Sequence, residues 1–259
     1  METLGATNKR IKQIASWQRS SKDRREAGVF IVEGIKMFRE APADWIKEVY
    51  MTPEMYDEIG DPGCTFSLVE GDVFAKISDT QTPQGVLTVL KRPDHSIEEI
   101  IKPKDGLKPL IVVLENLQDP GNLGTILRVG EAAGVTGIIM SKGTVDIFNP
   151  KVVRSTMGSI YRMPFIVADD LSDVLKKLKE NGITSYAAHL QGSEIYTEYD
   201  YTKGTAFMVG NEGNGLTDEI TALADKKLLI PMEGSVESLN AGIATAVLVY
   251  EAHRQRGSL

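Results

Sequence analysis

Ile230-Pro231-Met232-Glu233-Gly234-Ser235-Val236-Glu237-Ser238-Leu239-Asn240 runs straight into an apolar stretch that ends at Tyr250-Glu251. The order is that of a strand end, a glycine-bearing turn and a Ser-x-Asn pair at the start of a helix. Backbone donors and short polar side chains therefore meet at one spot. Two upstream segments share the construction. Asp119-Pro120-Gly121-Asn122-Leu123-Gly124, leading to Arg128, follows an apolar strand over 110–114, and Val209-Gly210-Asn211-Glu212-Gly213-Asn214-Gly215-Leu216 follows a strand over 206–208. Three polar loops, each beyond a strand end, predict one site.

Outward from these loops, apolar patterning predicts strands over 110–114, 137–140, 165–167, 184–188, 206–209 and 227–230. Helices are predicted over 122–133, 150–156, 171–181, 215–222 and 238–254. This alternation requires a mostly parallel sheet with helices on both faces, and ligands in such sheets bind beyond the carboxyl ends of the strands. The first half also alternates, with a basic helix over 7–19 and short strands over 29–32, 46–50, 65–69 and 85–90, so a small α/β domain is expected there. The charged, proline-bearing stretch between the halves reads as a linker. The expected divisions are a basic N-terminal helix (1–20), a small α/β domain (21–92), a linker (93–108) and a larger α/β domain (109–259).

Composition narrows the function. The 259 residues include 42% hydrophobic and 25% charged side chains, and one cysteine, Cys64. That excludes an intramolecular disulfide and a cysteine-rich zinc site. No apolar run approaches the roughly 20 residues of a membrane span, and the polar, basic N-terminus has no signal-peptide core. The cytoplasm is the expected compartment. The net charge of −7 is unevenly spread: residues 1–25 hold seven basic and two acidic side chains, a local +5 against −12 for the remainder. A local basic patch rather than the total decides phosphate contact, which makes Lys9, Arg10, Lys12, Arg24 and Arg25 candidates for RNA.

In order and spacing the three loops resemble the motifs of the TrmH (SpoU) branch of the SPOUT RNA methyltransferases: Asn122 with Arg128 six residues on, Gly-Asn-Glu-Gly-x-Gly, and Ser-Leu-Asn. The likeness covers roughly residues 109–256. It implies S-adenosylmethionine as methyl donor, a ribose 2′-hydroxyl as acceptor, a homodimer joined through the last helix, and a C-terminal segment threaded into a trefoil knot, an exception to the rule that chains are unknotted. It also implies that Phe30-Ile31-Val32-Glu33-Gly34 opens an RNA-binding domain similar to ribosomal proteins. Ribosomal RNA is the favoured substrate. A tRNA ribose methyltransferase and a non-catalytic assembly factor of the same fold are the alternatives.

Gly210 lacks a Cβ and permits close backbone approach, while Ile230 and Leu239 offer apolar walls; the resemblance places the donor's adenine against these three. It assigns Asn122, Arg128, Glu212, Ser238 and Asn240 to catalysis. A guanidinium has a pKa above about 12, so Arg128 is better suited to grip a phosphate and stabilise a developing alkoxide than to act as a base. Glu212 is expected to hold Arg128 or the donor loop in register. Ser238 and Asn240 double as helix-capping types. Arg154, in a segment resembling ribosomal-RNA members, is a candidate for phosphate positioning, and His189 for the rim of the pocket. No metal constellation is present in the sequence, and none is needed for displacement at a sulfonium methyl.

Overall fold

The computed structural model describes residues 3–190 and 194–257. The chain forms two compact units, one reaching to Asp94 and taking in Asp146–Tyr161, the other made of His95–Val145 and the residues from Arg162 onward.

The first unit opens with β1 (Thr3–Leu4) and α1 (Lys9–Arg19). Asn8 caps α1 by accepting from the Arg10 amide, and the helix buries Ile11 and Ile14 while its basic residues face outward. Ser20 ends α1 and caps α2 (Ser21–Ala27), which closes on Gly28 in the left-handed region. The short second helix went unseen in the sequence because its residues have no apolar period. There follow β2 (Val29–Glu33), α3 (Ile35–Glu40), β3 (Ile46–Met51), α4 (Pro53–Ile59), β4 (Phe66–Val69), α5 (Gly71–Ile77) and β5 (Val86–Lys91). The sheet order is β1-β4-β3-β5-β2, with β5 antiparallel to both neighbours. Phe30 on β2 packs against Phe148, from the segment after Val145.

The second unit holds α6 (Ile97–Ile101), β6 (Leu110–Leu114), α7 (Pro120–Ala133) and β7 (Gly137–Ser141). After α8 (Pro150–Ser155), which belongs to the first unit, come β8 (Phe165–Ala168), α9 (Leu171–Glu180), β9 (Thr184–Ala188), β10 (Glu194–Ile195), β11 (Thr205–Val209), α10 (Asp218–Leu223), β12 (Lys226–Leu229) and α11 (Ala241–Gln255). All seven strands are parallel, in the order β10-β12-β9-β11-β6-β7-β8. Every residue of β6 and β11 is buried, as a sheet covered on both faces demands.

Two expected boundaries shift. The stretch read as a linker carries α6, whose fully buried Ile100 lies where a Cβ on Gly137 would come within 2.6 Å. Residues 146–161, expected in the larger domain, pack with the first unit, where the Tyr161 hydroxyl donates to the Met37 carbonyl at 2.8 Å. Neither contact leaves a local mark in the sequence.

Candidate active site

The central strands β6 and β11 are hydrogen-bonded neighbours, so the loops after them leave the sheet side by side. Asp119 caps α7, accepting from the Asn122 amide at 2.8 Å, with Pro120 in the first turn. Asn122 is thereby freed from capping, and its buried side chain bonds outward in both directions. Its Nδ2 donates to Glu212 Oε1 at 3.0 Å, and its Oδ1 accepts from Asn240 Nδ2 at 2.8 Å. Asn240 meanwhile caps α11 through its own Oδ1, which accepts from the amides of Gly242 and Ile243. One side chain from each loop thus forms a continuous hydrogen-bonded chain, Glu212–Asn122–Asn240.

Glu212 also accepts from the backbone amides of Gln118 (3.1 Å) and Asp119 (2.9 Å). Partial burial pushes its pKa up, but the bonds from Asn122, Asp119 and Gln118 more than offset that and hold the carboxyl below the usual range. The carboxylate therefore ties the second loop to the first. Among the described residues it forms no hydrogen bond or ion pair with Arg128. That arginine is exposed on α7 and, among the described residues, has no hydrogen bond or ion pair, so its fork is available to an outside anion.

A cavity of about 340 Å³ opens at the Glu212 end of this chain, bounded by residues 188–190, 209–216, 228–230 and 237–239 together with Ala241 and Ala244. Its size falls in the usual range for small-molecule sites. Gly210, Ile230 and Leu239 all line it, and so do Ser238 and Glu212. Ser238 does not cap a helix: it is exposed, precedes α11, and has no hydrogen bond among the described residues. Gly210 is needed for a reason other than ligand approach. A Cβ there would lie 2.0 Å from the carbonyl carbon of Gly215, because the loop folds back on itself through paired Asn211–Gly215 backbone bonds. S-adenosylmethionine suits these walls. Leu216, Leu228, Ile230 and Leu239 are apolar, and among the described residues the carboxylates Glu212 and Glu237 line the cavity, with no lysine or arginine to oppose a sulfonium.

The other candidates lie in the first unit. Arg24 is 3% exposed, pairs with Asp146 at 2.6 Å and donates to the Trp17 carbonyl, which removes it from any RNA-facing surface. Arg10 pairs with Glu48 and Arg154 with Asp79, each at 2.9 Å. Lys9, Lys12 and Arg25 are exposed and free of ion pairs among the described residues. The sequence reading missed Asn116, Gln118, Asp119 and Asn211, which lace the loops together; Asn211 Nδ2 donates to the Asn116 carbonyl at 2.9 Å. An Asp-Pro pair before a helix is a legible cap, whereas Asn116 (φ 54°) gives only the weak hint of a residue type that tolerates the left-handed region. Among the described residues no three His, Cys, Asp or Glu side chains are grouped to hold a metal ion.

Residues 109–250 match the SpoU rRNA Methylase family and residues 8–88 the MRM3-like substrate binding domain. The chain is 31% identical to a 23S rRNA (guanosine(2553)-2′-O)-methyltransferase of Bacillus subtilis (strain 168), over 95% of this chain and 96% of the relative. It is 28% identical to a 23S rRNA (uridine(2479)-2′-O)-methyltransferase of Streptomyces viridochromogenes, over 81% of this chain and 68% of that protein. Among solved structures, an AdoMet-bound rRNA methyltransferase from Sinorhizobium meliloti superposes with a TM-score of 0.86 at 31% identity, covering 98% of this chain and 97% of its own. Fold and likeness define an enzyme class, the RNA methyltransferases. Within that class, the chain belongs to the SpoU rRNA methylase family.

Proposed function

We propose that this enzyme methylates a ribose 2′-hydroxyl of ribosomal RNA, using the cavity beside Glu212. The observation that carries the reading is the hydrogen-bonded chain joining the three loops at 3.0 and 2.8 Å, whose Glu212 end lines a cavity with no lysine or arginine among the described residues of its lining. Bound S-adenosylmethionine supplies an electrophilic methyl whose transfer to oxygen leaves a neutral thioether. The protein's part is positioning and electrostatics. Gly210, Ile230 and Leu239 wall the donor. Asn122 and Asn240 hold the loops at fixed spacing, and Glu212 clamps them from the other side. Arg128, unspent on any protein acceptor, grips the phosphate beside the target ribose and steadies the alkoxide as the hydroxyl proton leaves to solvent. Ser238, also without a hydrogen-bond partner among the described residues, is the proposed hydroxyl contact to the ribose.

The basic residues left open on the first unit, Lys9, Lys12 and Arg25, are the proposed RNA contacts, with Arg10 and Arg154 available only by exchanging their carboxylate partners. The relatives named above act on 23S rRNA, which favours ribosomal over transfer RNA. A homodimer through α11 is also proposed. Leu248 and Val249 are fully buried within the chain, but Ile243 and Tyr250 are 51% and 48% exposed, so they are the residues left for a partner copy. Light scattering of the wild type and of Ile243→Glu tests this, a monomeric wild type being the contrary result. A trefoil knot in the C-terminal segment is proposed too; stretching the chain from both ends should stop short of full contour length. The proposed cytoplasmic location is checked by fractionation.

The test of function is a nucleotide-resolution map of ribose methylation in total RNA from cells with and without the gene, with Arg128→Ala in the rescue. One ribosomal position lost on deletion and restored only by the unmutated protein is expected. A map with no changed ribosomal position would refute the reading.

A further inference from the structure

Glu115 is a buried carboxylate with no part in the mechanism above. It follows the last residue of β6, is 6% exposed, and lies in none of the three motifs. Both of its oxygens are committed to one residue: Oε2 accepts from the Thr217 amide and Oε1 from the Thr217 hydroxyl, each at 2.8 Å. Its own amide donates to the Val209 carbonyl at 3.0 Å. Glu115 therefore holds both ends of the loop that runs from Val209 to Thr217, and that loop forms one side of the cavity.

The loop is internally stiff. Asn211 and Gly215 exchange backbone bonds at 3.0 and 2.9 Å, Gly210 sits too close to Gly215 to accept a Cβ, and Asn211 Oδ1 accepts from the Gly213 and Asn214 amides. A stiff loop is placed by its anchors. On the entry side these are numerous, because Asn211 bonds the Asn116 carbonyl and Glu212 bonds Gln118, Asp119 and Asn122. On the exit side, Thr217 is tied to β6 through the Glu115 carboxylate.

We infer that Glu115 is a positioning residue for the methyl donor: through Thr217 it sets the distance between the 210–216 loop and the rest of the cavity. The inference rests on the reading that this cavity takes S-adenosylmethionine. Without the carboxylate, the loop swings on its entry-side anchors and the cavity opens. Misplacing a supporting shell by about 1 Å costs on the order of tenfold or more in function.

The test is calorimetric titration of the full-length protein with S-adenosylmethionine. Glu115→Ala is expected to raise Kd about tenfold while one site per chain is retained. Glu115→Gln restores binding, since its amide can still accept from the Thr217 N–H and donate to the hydroxyl. Glu115→Asp keeps the charge but falls a methylene short, so it weakens binding even if Glu115→Ala fails to fold. A carboxylate that merely supports folding gives the opposite pattern, a lower melting temperature or fewer sites with unchanged Kd, and that result overturns the proposal. Absence of donor binding by the wild type would instead strike at the proposed function.

Discussion

Arg256, just past α11, is the place where the end of the chain is fastened, and its removal should cost stability without touching the donor site. Its Nε donates to the Tyr201 carbonyl at 2.9 Å, Nη1 to Lys108 at 2.8 Å, and Nη2 to Pro109 and Lys203 at 3.0 and 2.6 Å. Those carbonyls lie before β6 and β11, so one guanidinium ties the C-terminus to the entry ends of the two central strands. At about 1 kcal/mol net per hydrogen bond, the four bonds give a starting figure of about 4 kcal/mol for Arg256→Ala, raised by the donor's charge. The loss is smaller because three acceptors keep another donor. The Thr205 amide bonds Pro109, and the Thr205 hydroxyl bonds Lys203 and, at 3.5 Å, Tyr201. Only the Lys108 carbonyl loses its sole partner among the described residues. We therefore expect about 2–3 kcal/mol, or roughly 4–12 °C in melting temperature for a domain of this size. Lysine, with no planar fork, should recover less than half. The assay is reversible urea unfolding beside donor calorimetry at 25 °C. The site lies at the opposite, carboxyl ends of these strands, about 16 Å away at 3.3 Å per residue, so donor affinity should not change. A midpoint equal to that of the wild type, or a loss of donor affinity in the folded protein, would refute the argument.

Three further outcomes follow from the geometry. Because the folded pKa of Glu212 is depressed, its contribution is complete above the unfolded value of about 4.3 and is lost as pH falls through the folded one; donor affinity should be flat at neutral pH and fall in acid, and Glu212→Gln should remove that acid limb, which a titration series by calorimetry checks. Gly210→Ala puts a Cβ 2.0 Å from the Gly215 backbone, so donor binding should drop at least about tenfold with little change in the unfolding of the first unit; unchanged binding would mean that the loop is not stiff. Arg24→Met should destabilise by about 3 kcal/mol because it leaves Asp146 without its partner, yet preserve the salt dependence of RNA binding, whereas the triple change Lys9→Gln, Lys12→Gln, Arg25→Gln should reduce the slope of log K against log salt by about two to three with stability unaltered.

The fold was legible wherever burial writes a period. The continuous apolar runs at 110–114 and 206–209 admit little but interior strands of a parallel sheet, and Leu171, Val174, Leu175 and Leu178 mark one face of a helix. What escaped were elements whose cause lies elsewhere in the chain. Strands β1 and β10 are two residues each and exist because β4 and β12 offer an edge. The 146–161 segment joins the first unit through Phe148 and Tyr161, aromatic residues that pair with Phe30 and Trp45 more than a hundred positions away. Charge was misread for the same reason. Arg24 counts as surface in any composition, and only its distant partner Asp146 makes it part of the core.

The site divides along a similar line. The residues that line the cavity (Gly210, Ile230, Leu239, Ser238) were legible as a group because three loops repeat one construction, and repetition is visible in a single sequence. The residues that make the loops a unit were not. Whether Glu212 would clamp Arg128 or the first loop depends on which donors converge on it, and those donors are backbone amides that every residue possesses. Whether Asn122 would cap its helix depended on Asp119 taking that task three residues earlier and so freeing an amide that both gives and accepts. A side chain with one donor and one acceptor end is what a three-loop chain needs at its middle. Aspartate at 122 would accept from Asn240 but set a second carboxylate against Glu212, and alanine would leave Glu212 and Asn240 without a common partner. The asparagine at this position is thus required by the two residues it joins, whatever it also contributes to the reacting ribose.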